Sequence, residues 1–274
     1  MREAAKITRA SQSNLALAFI SLSRERRRDM TVFYAFCRVI DDIADATDLA
    51  VTEKQAGLTS WRLWLRQSTG EESSLARDVR ALMGKYSLPP EMLEEIIAGV
   101  EMDLRKSRYA NFEELRVYCY RVASAVGLVS IEIFGYRNPA CKQYAIELGL
   151  ALQTTNIIRD VGKDLESGRI YLPQDEMARF DYAERDLQAR EYNQNFLRLM
   201  QFQAGRAHSF FEKATALLPR EDRRSMVAAE IMRSVYFALL RRIELDNFRV
   251  FEKEYRLNKL ERASRAAAQL LKFY

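Results

Sequence analysis

Apolar residues recur at helical spacing along almost the whole of this chain, which leaves few folds open to it. The interruptions are short and specific. Pro89-Pro90, after Leu88, ends one helix and starts another, because proline suits a first turn and cannot extend a helix. Asn111, followed by Phe112, Glu113 and Glu114, reads as a helix start with acids in its first turn. Gly135 to Pro139 reads as a turn, Gly168 to Pro173 (GRIYLP) as a loop after a long helix, and Pro219 as a further break. Only 10 Gly and 5 Pro occur in 274 residues, too few for a sheet protein with many tight turns. The expectation is an all-α fold of roughly eight to ten helices, a single domain over residues 1–274 around one deep cavity.

Composition narrows the function classes. With 48% hydrophobic and 30% charged residues the chain can build a large core and is not disordered. The net charge is +5, and the densest basic run, Arg24 with Arg26, Arg27 and Arg28, reads as a solvated helix start, so no nucleic-acid partner is expected. Cys37, Cys119 and Cys141 are odd in number and far apart, which points to free thiols in a reducing compartment. A single histidine, His208, argues against a His-based zinc site or a serine-type triad. No apolar run reaching the ~20 residues of a membrane span is apparent, and Leu15 to Ile20 is too short. A cytoplasmic protein is expected, with room for peripheral contact at the inner face of a membrane. The stretch from Leu257 to Tyr274 mixes Lys259, Arg262, Arg265 and Lys272 with Leu260, Leu270, Leu271 and Phe273. It reads as an amphipathic closing helix, with an anionic surface as the alternative.

Two acidic seams carry the chemistry. In FYAFCRVIDDIAD (33–45), Tyr34, Arg38, Asp41 and Asp45 share one helix face, with Val32, Phe36, Val39 and Ile40 opposite. In QTTNIIRDVGKD (153–164), Gln153, Asn156, Asp160 and Asp164 form a second face, flanked by Leu150, Ile157, Ile158 and Val161. Asp is a poor helix former, and like charges at i,i+4 repel. Two carboxylates ~4 Å apart repel by roughly 4 kcal/mol at an effective dielectric of 20. Divalent cations remove that cost. Oxygen donors without nearby His or Cys favour a hard ion, Mg²⁺ or Mn²⁺, which fills its shell with water and phosphate oxygens. The seams therefore point to an enzyme that handles a diphosphate.

The same residues carry a family resemblance. YCYRVASAVG (118–127) and LGLALQTTNIIRDVGKDLESGRIYLP (148–173) resemble the two sequence signatures of the squalene/phytoene synthase family. FYAFCRVIDDIAD is similar to its first Asp-rich segment, and Ser11, Ser13 and VFEKEYRLNKLER (250–262) fit its layout. The resemblance implies an all-helical prenyltransferase that joins two prenyl diphosphates head to head. It implies metal ligation by Asp41, Asp45, Asn156, Asp160 and Asp164, with Asp42 secondary. Arg38, Gln153, Arg169, Ser11, Ser13 and Tyr236 would contact the diphosphate, and Tyr34 and Tyr171 would stand near the chemistry. Lys253 and Arg256 fall where the family often places a phosphate-contacting arginine. Asn14 departs from the aromatic residue usual after the second serine.

On this resemblance the first expectation is condensation of two farnesyl diphosphates to presqualene diphosphate, then squalene or dehydrosqualene. The alternative is phytoene from two geranylgeranyl diphosphates. NADPH would be needed only if squalene is the end product. Val122, Ala123, Ala125, Val126 and Gly127 form a small-residue strip fit to line an apolar tunnel or to pack helices closely. A non-catalytic helical module and a terpene cyclase are the competing readings. The intact seams oppose the first and the GRIYLP segment opposes the second.

Overall fold

The structure is a computed structural model describing Ala4 and residues 18–273; Ser11 and Ser13 lie outside the described residues. Among these the chain is helical, with no strand. After a 3₁₀ turn at Phe19–Ser21 come α1 (Arg24–Asp45), α2 (Val51–Arg66), α3 (Ser74–Tyr86), α4 (Pro90–Arg105), α5 (Phe112–Cys119) and α6 (Ala125–Phe134). Then follow α7 (Ala140–Glu166), α8 (Gln174–Arg179), α9 (Glu184–Gln188), α10 (Gln194–Leu217), α11 (Val227–Leu245) and α12 (Lys259–Phe273). The sequence reading falls short of this number because α8 and α9 span only one or two turns, too short for periodicity to register.

The helix boundaries follow local chemistry. Ser23 caps α1 by accepting the Arg26 N–H at 3.3 Å, and the Asn111 side chain caps α5 by accepting the Glu114 N–H at 3.0 Å. Pro90 occupies the first turn of α4. In the basic run at the start of α1, Arg27 is not simply solvated. Its guanidinium donates to the carbonyls of Phe19, Ile20 and Leu22 at 3.0, 2.9 and 3.3 Å, tying the preceding turn to the helix.

α5 and α6 are one continuous helix, joined by a π segment at Tyr120–Ser124. The joined helix Phe112–Phe134 is long and apolar enough, by length and composition, to cross a membrane, which corrects the expectation that no such run exists. Here it packs against α4 and α7. The π segment is pressed onto α7 where that helix has no side chain: a Cβ on Gly149 would stand 2.5 Å from Ser124 Cα. The Ser124 hydroxyl donates to the Ile146 carbonyl at 2.8 Å across the same contact. π segments often mark functional sites because the extra residue re-aims the side chains around them. Val122 within this one and Tyr118 just before it line an acidic cleft. α7 lies at the centre, packed along α10 and touching α6, α11 and the π segment.

Candidate active site

The two acidic seams face each other across one cleft of about 350 Å³. α1 contributes Asp41 and Asp45. α7 contributes Gln153, Asn156, Asp160 and Asp164, and the loop after it adds Arg169 and Tyr171. The structure thus brings together residues more than a hundred positions apart in the chain. It adds three that the seam spacing did not reveal: Asp103 near the end of α4, Tyr118 at the end of α5, and Arg159 beside Asp160. Tyr118 opens the YCYRVASAVG signature, which was its available signal. Asp103 has no carboxylate partner one turn away and gives no periodic signal.

Asp103 organises the floor. It accepts hydrogen bonds from the hydroxyls of Tyr171 at 2.8 Å and Tyr118 at 3.0 Å, while the two hydroxyls lie 3.2 Å apart. The rings of Tyr118 and Tyr171 stack with centroids 5.0 Å apart, and Tyr109 stacks on Tyr171 at 5.9 Å. Burial raises the Asp103 carboxyl above its ordinary range, and the Tyr171 hydroxyl bond opposes that rise.

The metal-type residues are strained as they stand. Burial pushes Asp41 up to about 7, with Arg38 opposing and Asp45, Asp42 and Asp103 reinforcing. Burial, then the charge of Asp160, pushes Asp164 up to about 7 as well. Asp41 still meets solvent through the cleft mouth, so water screens part of this penalty. The α1 seam is more open than its apolar neighbours suggested: the Asp45 side chain is 64% exposed. Arg159 grips Asp160 through both carboxylate oxygens, at 2.8 and 2.5 Å. Arg169 approaches Asp45 at 3.5 Å and so bridges the two walls.

These residues fit divalent cations. The buried Asn156 Oδ1 has no hydrogen-bond partner, while its amide donates to Gln153 Oε1 at 3.2 Å. An acceptor left idle beside repelling carboxylates is what a hard cation satisfies. Among the described residues no three His, Cys, Asp or Glu side chains converge into a ready-made cage. That suits an ion held by one or two carboxylates on each wall and completed by water and phosphate oxygens.

Other expected contacts fall outside the cleft. Arg38 pairs with Asp42 at 2.8 Å on an exposed face, and neither lines the cleft. Tyr34 is half-buried against the core. Tyr236, Lys253 and Arg256 line an adjoining cavity of about 690 Å³ that shares Arg159 and Asp160 with the cleft. There Lys253 bonds Asp246 at 2.7 Å and Arg256 bonds Glu254 at 2.6 Å. A third, apolar chamber of about 120 Å³ shares Met232 with that cavity and is lined in part by Ala123, Val126 and Gly127 of the small-residue strip. Val122 lines the cleft instead, and Ala125 is buried in the core. Among the described residues the expected cavity is a set of adjoining spaces that meet at the Arg159–Asp160 pair and at Met232.

Facing acidic seams over a tyrosine-lined floor, on an all-helical scaffold, define a prenyltransferase of the isoprenoid synthase type. The chain belongs to the squalene/phytoene synthase family, which it matches over residues 8–263. It is 35% identical over 267 residues to a 15-cis-phytoene synthase of Synechococcus elongatus, covering 92% of this chain and 86% of that one. It is 34% identical to a phytoene synthase of Mycobacterium tuberculosis, covering 96% and 88%. Among solved structures it resembles a dehydrosqualene synthase in complex with a ligand (TM-score 0.86, 25% identity, covering 99% of this chain and 96% of that one). It also resembles a squalene synthase from Alicyclobacillus acidocaldarius (TM-score 0.81, 27% identity, covering 89% and 93%).

Proposed function

We propose that the protein condenses two geranylgeranyl diphosphates head to head to phytoene, reversing the order of the two products expected from the sequence. The support is that eight curated relatives at 31–35% identity carry the name phytoene synthase. The observation that carries the chemistry is the pair of facing seams with the idle Asn156 oxygen between them.

Asp41 and Asp45 on one wall, and Asn156, Asp160 and Asp164 on the other, would hold Mg²⁺ or Mn²⁺. Bound divalent ions supply the electrophilic pull on the departing diphosphate. Arg169, already between the walls, neutralises phosphate charge. Loss of the first diphosphate leaves an allylic cation. The double bond of the second substrate attacks it, and proton loss closes a cyclopropane. Loss of the second diphosphate, rearrangement and a further proton loss give a linear C40 chain with three conjugated double bonds at its centre, with no reductant consumed, so NADPH has no place in this reading. Tyr118 and Tyr171 both line the cleft, and ring surface not covered by their mutual stacking stabilises positive charge by about 0.5–2 kcal/mol. Their hydroxyls, committed to Asp103, are kept from acting as stray nucleophiles.

The prenyl tails need more room than the apolar chamber of about 120 Å³ offers. Met232 walls both that chamber and the larger cavity, and its flexible side chain can swing to merge them.

A second reading, farnesyl diphosphate to presqualene diphosphate and dehydrosqualene, is favoured by the names of the structural neighbours. Incubation with Mg²⁺ and each substrate separates the two. Phytoene formed with the higher kcat/KM from the C20 substrate is expected, and preference for the C15 substrate would reverse the assignment. Failure to turn over either substrate would sink both.

A further inference from the structure

α12 is turned the wrong way round for a helix that closes a water-soluble bundle. At 100° per residue, Leu260, Ala263, Ser264, Ala267, Ala268 and Leu271 share a face about 140° wide. All six are exposed, Leu260 at 82% and Leu271 at 84%. The polar residues face inward instead: Glu261, Arg262, Arg265 and Gln269 are only half-exposed. Glu261 pairs with Arg242 of α11, and Arg265 donates to the Ser234 carbonyl at 3.5 Å. Gln269 Oε1 is buried with no partner. An ordinary amphipathic helix buries its apolar stripe and shows its charges to water. Here Ala266 and Leu270 provide the inward apolar contact, and the remaining apolar face is left to solvent. Leu245, at the end of α11, is 77% exposed and shares a shallow groove with Arg265, which extends the patch.

We propose that this face docks on an anionic lipid surface. Charge selects that occupant. The exposed charges of α12 are both basic, Lys259 and Lys272, and its single acid, Glu261, is turned inward onto Arg242. Lys259 and Lys272 are exposed at the two ends of the apolar face, where long basic side chains reach lipid headgroups while the leucines enter the acyl boundary. A second copy of the chain would bring two basic rims together. The face, about 22 Å by 10 Å, is also well short of the roughly 800 Å² per partner of a stable dimer.

Docking in this way connects with the cavities. Arg262 of α12 and Leu257 just before it line the cavity of about 690 Å³, which reaches the acidic cleft at Arg159 and Asp160 and the apolar chamber at Met232. The docking helix thus forms one wall of the space through which long apolar chains would pass between lipid and cleft.

Flotation of the full-length protein with phosphatidylcholine vesicles, with or without about a third phosphatidylglycerol, tests the proposal. The protein should float with the anionic vesicles only, and less as salt rises. Leu260→Ser with Leu271→Ser should lower the bound fraction about ten-fold or more at unchanged helical circular dichroism. Should that variant fold poorly, Ala267→Trp supplies an independent readout: its fluorescence should be quenched by brominated lipid in anionic vesicles. No flotation by the wild type, equal flotation by the serine variant, or no quenching would overturn the proposal. So would a dimer in solution that the serine substitutions dissolve, since the occupant would then be a second copy.

Discussion

The two acidic seams have the same spacing and opposite surroundings. On α7 the residues Asn156, Asp160 and Asp164 are half-buried, and the helix behind them is fixed by contacts that admit no extra atom, as at Gly149 against Ser124. On α1 the residues Asp41 and Asp45 sit on the last turns of a helix, exposed at the cleft mouth and followed directly by a loop. One wall is a fixed template and the other is an open rim. A diphosphate held between them can enter and leave at the rim while the template sets its position.

Removing one carboxylate from each wall separates the two seams most decisively. On the proposed function, Asp160→Asn and Asp41→Asn should each lower kcat/KM by about a thousand-fold or more, since each would remove a ligand from metal-assisted departure. Their stabilities should diverge. Asp160→Asn leaves the Arg159 guanidinium without its ion pair, whereas Asp41→Asn relieves repulsion. Thermal melting of both variants decides this. If Asp41→Asn melted below Asp160→Asn, the assignment of strain to the open rim would be wrong.

Rigidity of the template is the next test. Gly149→Ala drives a methyl into Ser124 backbone atoms 2.5 Å away and should cost about 1–3 kcal/mol. The melting temperature should then drop by several degrees, at about 2–4 °C per kcal/mol. Gly205 on α10 has nothing within 4 Å, so Gly205→Ala should instead gain roughly 0.5–1 kcal/mol. Similar effects at the two positions would mean that α7 can shift on the π segment.

The pH dependence of the cation-free protein follows from the raised carboxyls. Asp41 and Asp164 both sit near 7 in the fold, against an unfolded value of about 3.9. The fold therefore favours their protonated forms. Their contribution to stability is complete below about pH 4 and is lost as the pH rises through about 7. Mg²⁺ held as proposed would bind the ionised forms, so the rise in melting temperature on adding Mg²⁺ should be larger at about pH 8 than at about pH 5. An equal rise at both would show that the ion binds elsewhere.

How much of this was legible in the sequence depended on whether a residue repeats with the helix. Asp41 and Asp45, or Asn156, Asp160 and Asp164, repeat one turn apart and so declare a face. Pro89-Pro90 and Asn111 declare helix ends through backbone chemistry alone. Asp103, Tyr118 and Arg159 repeat with nothing. Asp103 matters because α4 happens to end beside two tyrosines from distant segments. The inversion of α12 was equally hidden, since a helical wheel shows two faces but not which one the bundle covers. Tyr34 shares the α1 polar face by angle, yet it lies about two turns above Asp41, where that face meets the core rather than the cleft.

The smallest expected effect separates charge from contact at the open rim. Arg38 is aligned with Asp41 in sequence but pairs with Asp42, each partner about half-exposed. An exposed i,i+4 pair contributes roughly 0.3–0.5 kcal/mol, so Arg38→Ala should barely change the melting temperature. Its positive charge also opposes the rise of the Asp41 carboxyl, and losing it moves Asp41 further towards protonation. Turnover at neutral pH should therefore fall only a few-fold, recover as the pH is raised or Mg²⁺ increased, and leave the maximal rate nearly intact. Arg169, which bridges the walls, should behave differently: Arg169→Ala should lower the maximal rate itself, beyond rescue by pH. If Arg38→Ala instead cost a hundred-fold at every pH, Arg38 must leave Asp42 and grip the substrate. The rim would then be a moving part of the site rather than an open edge.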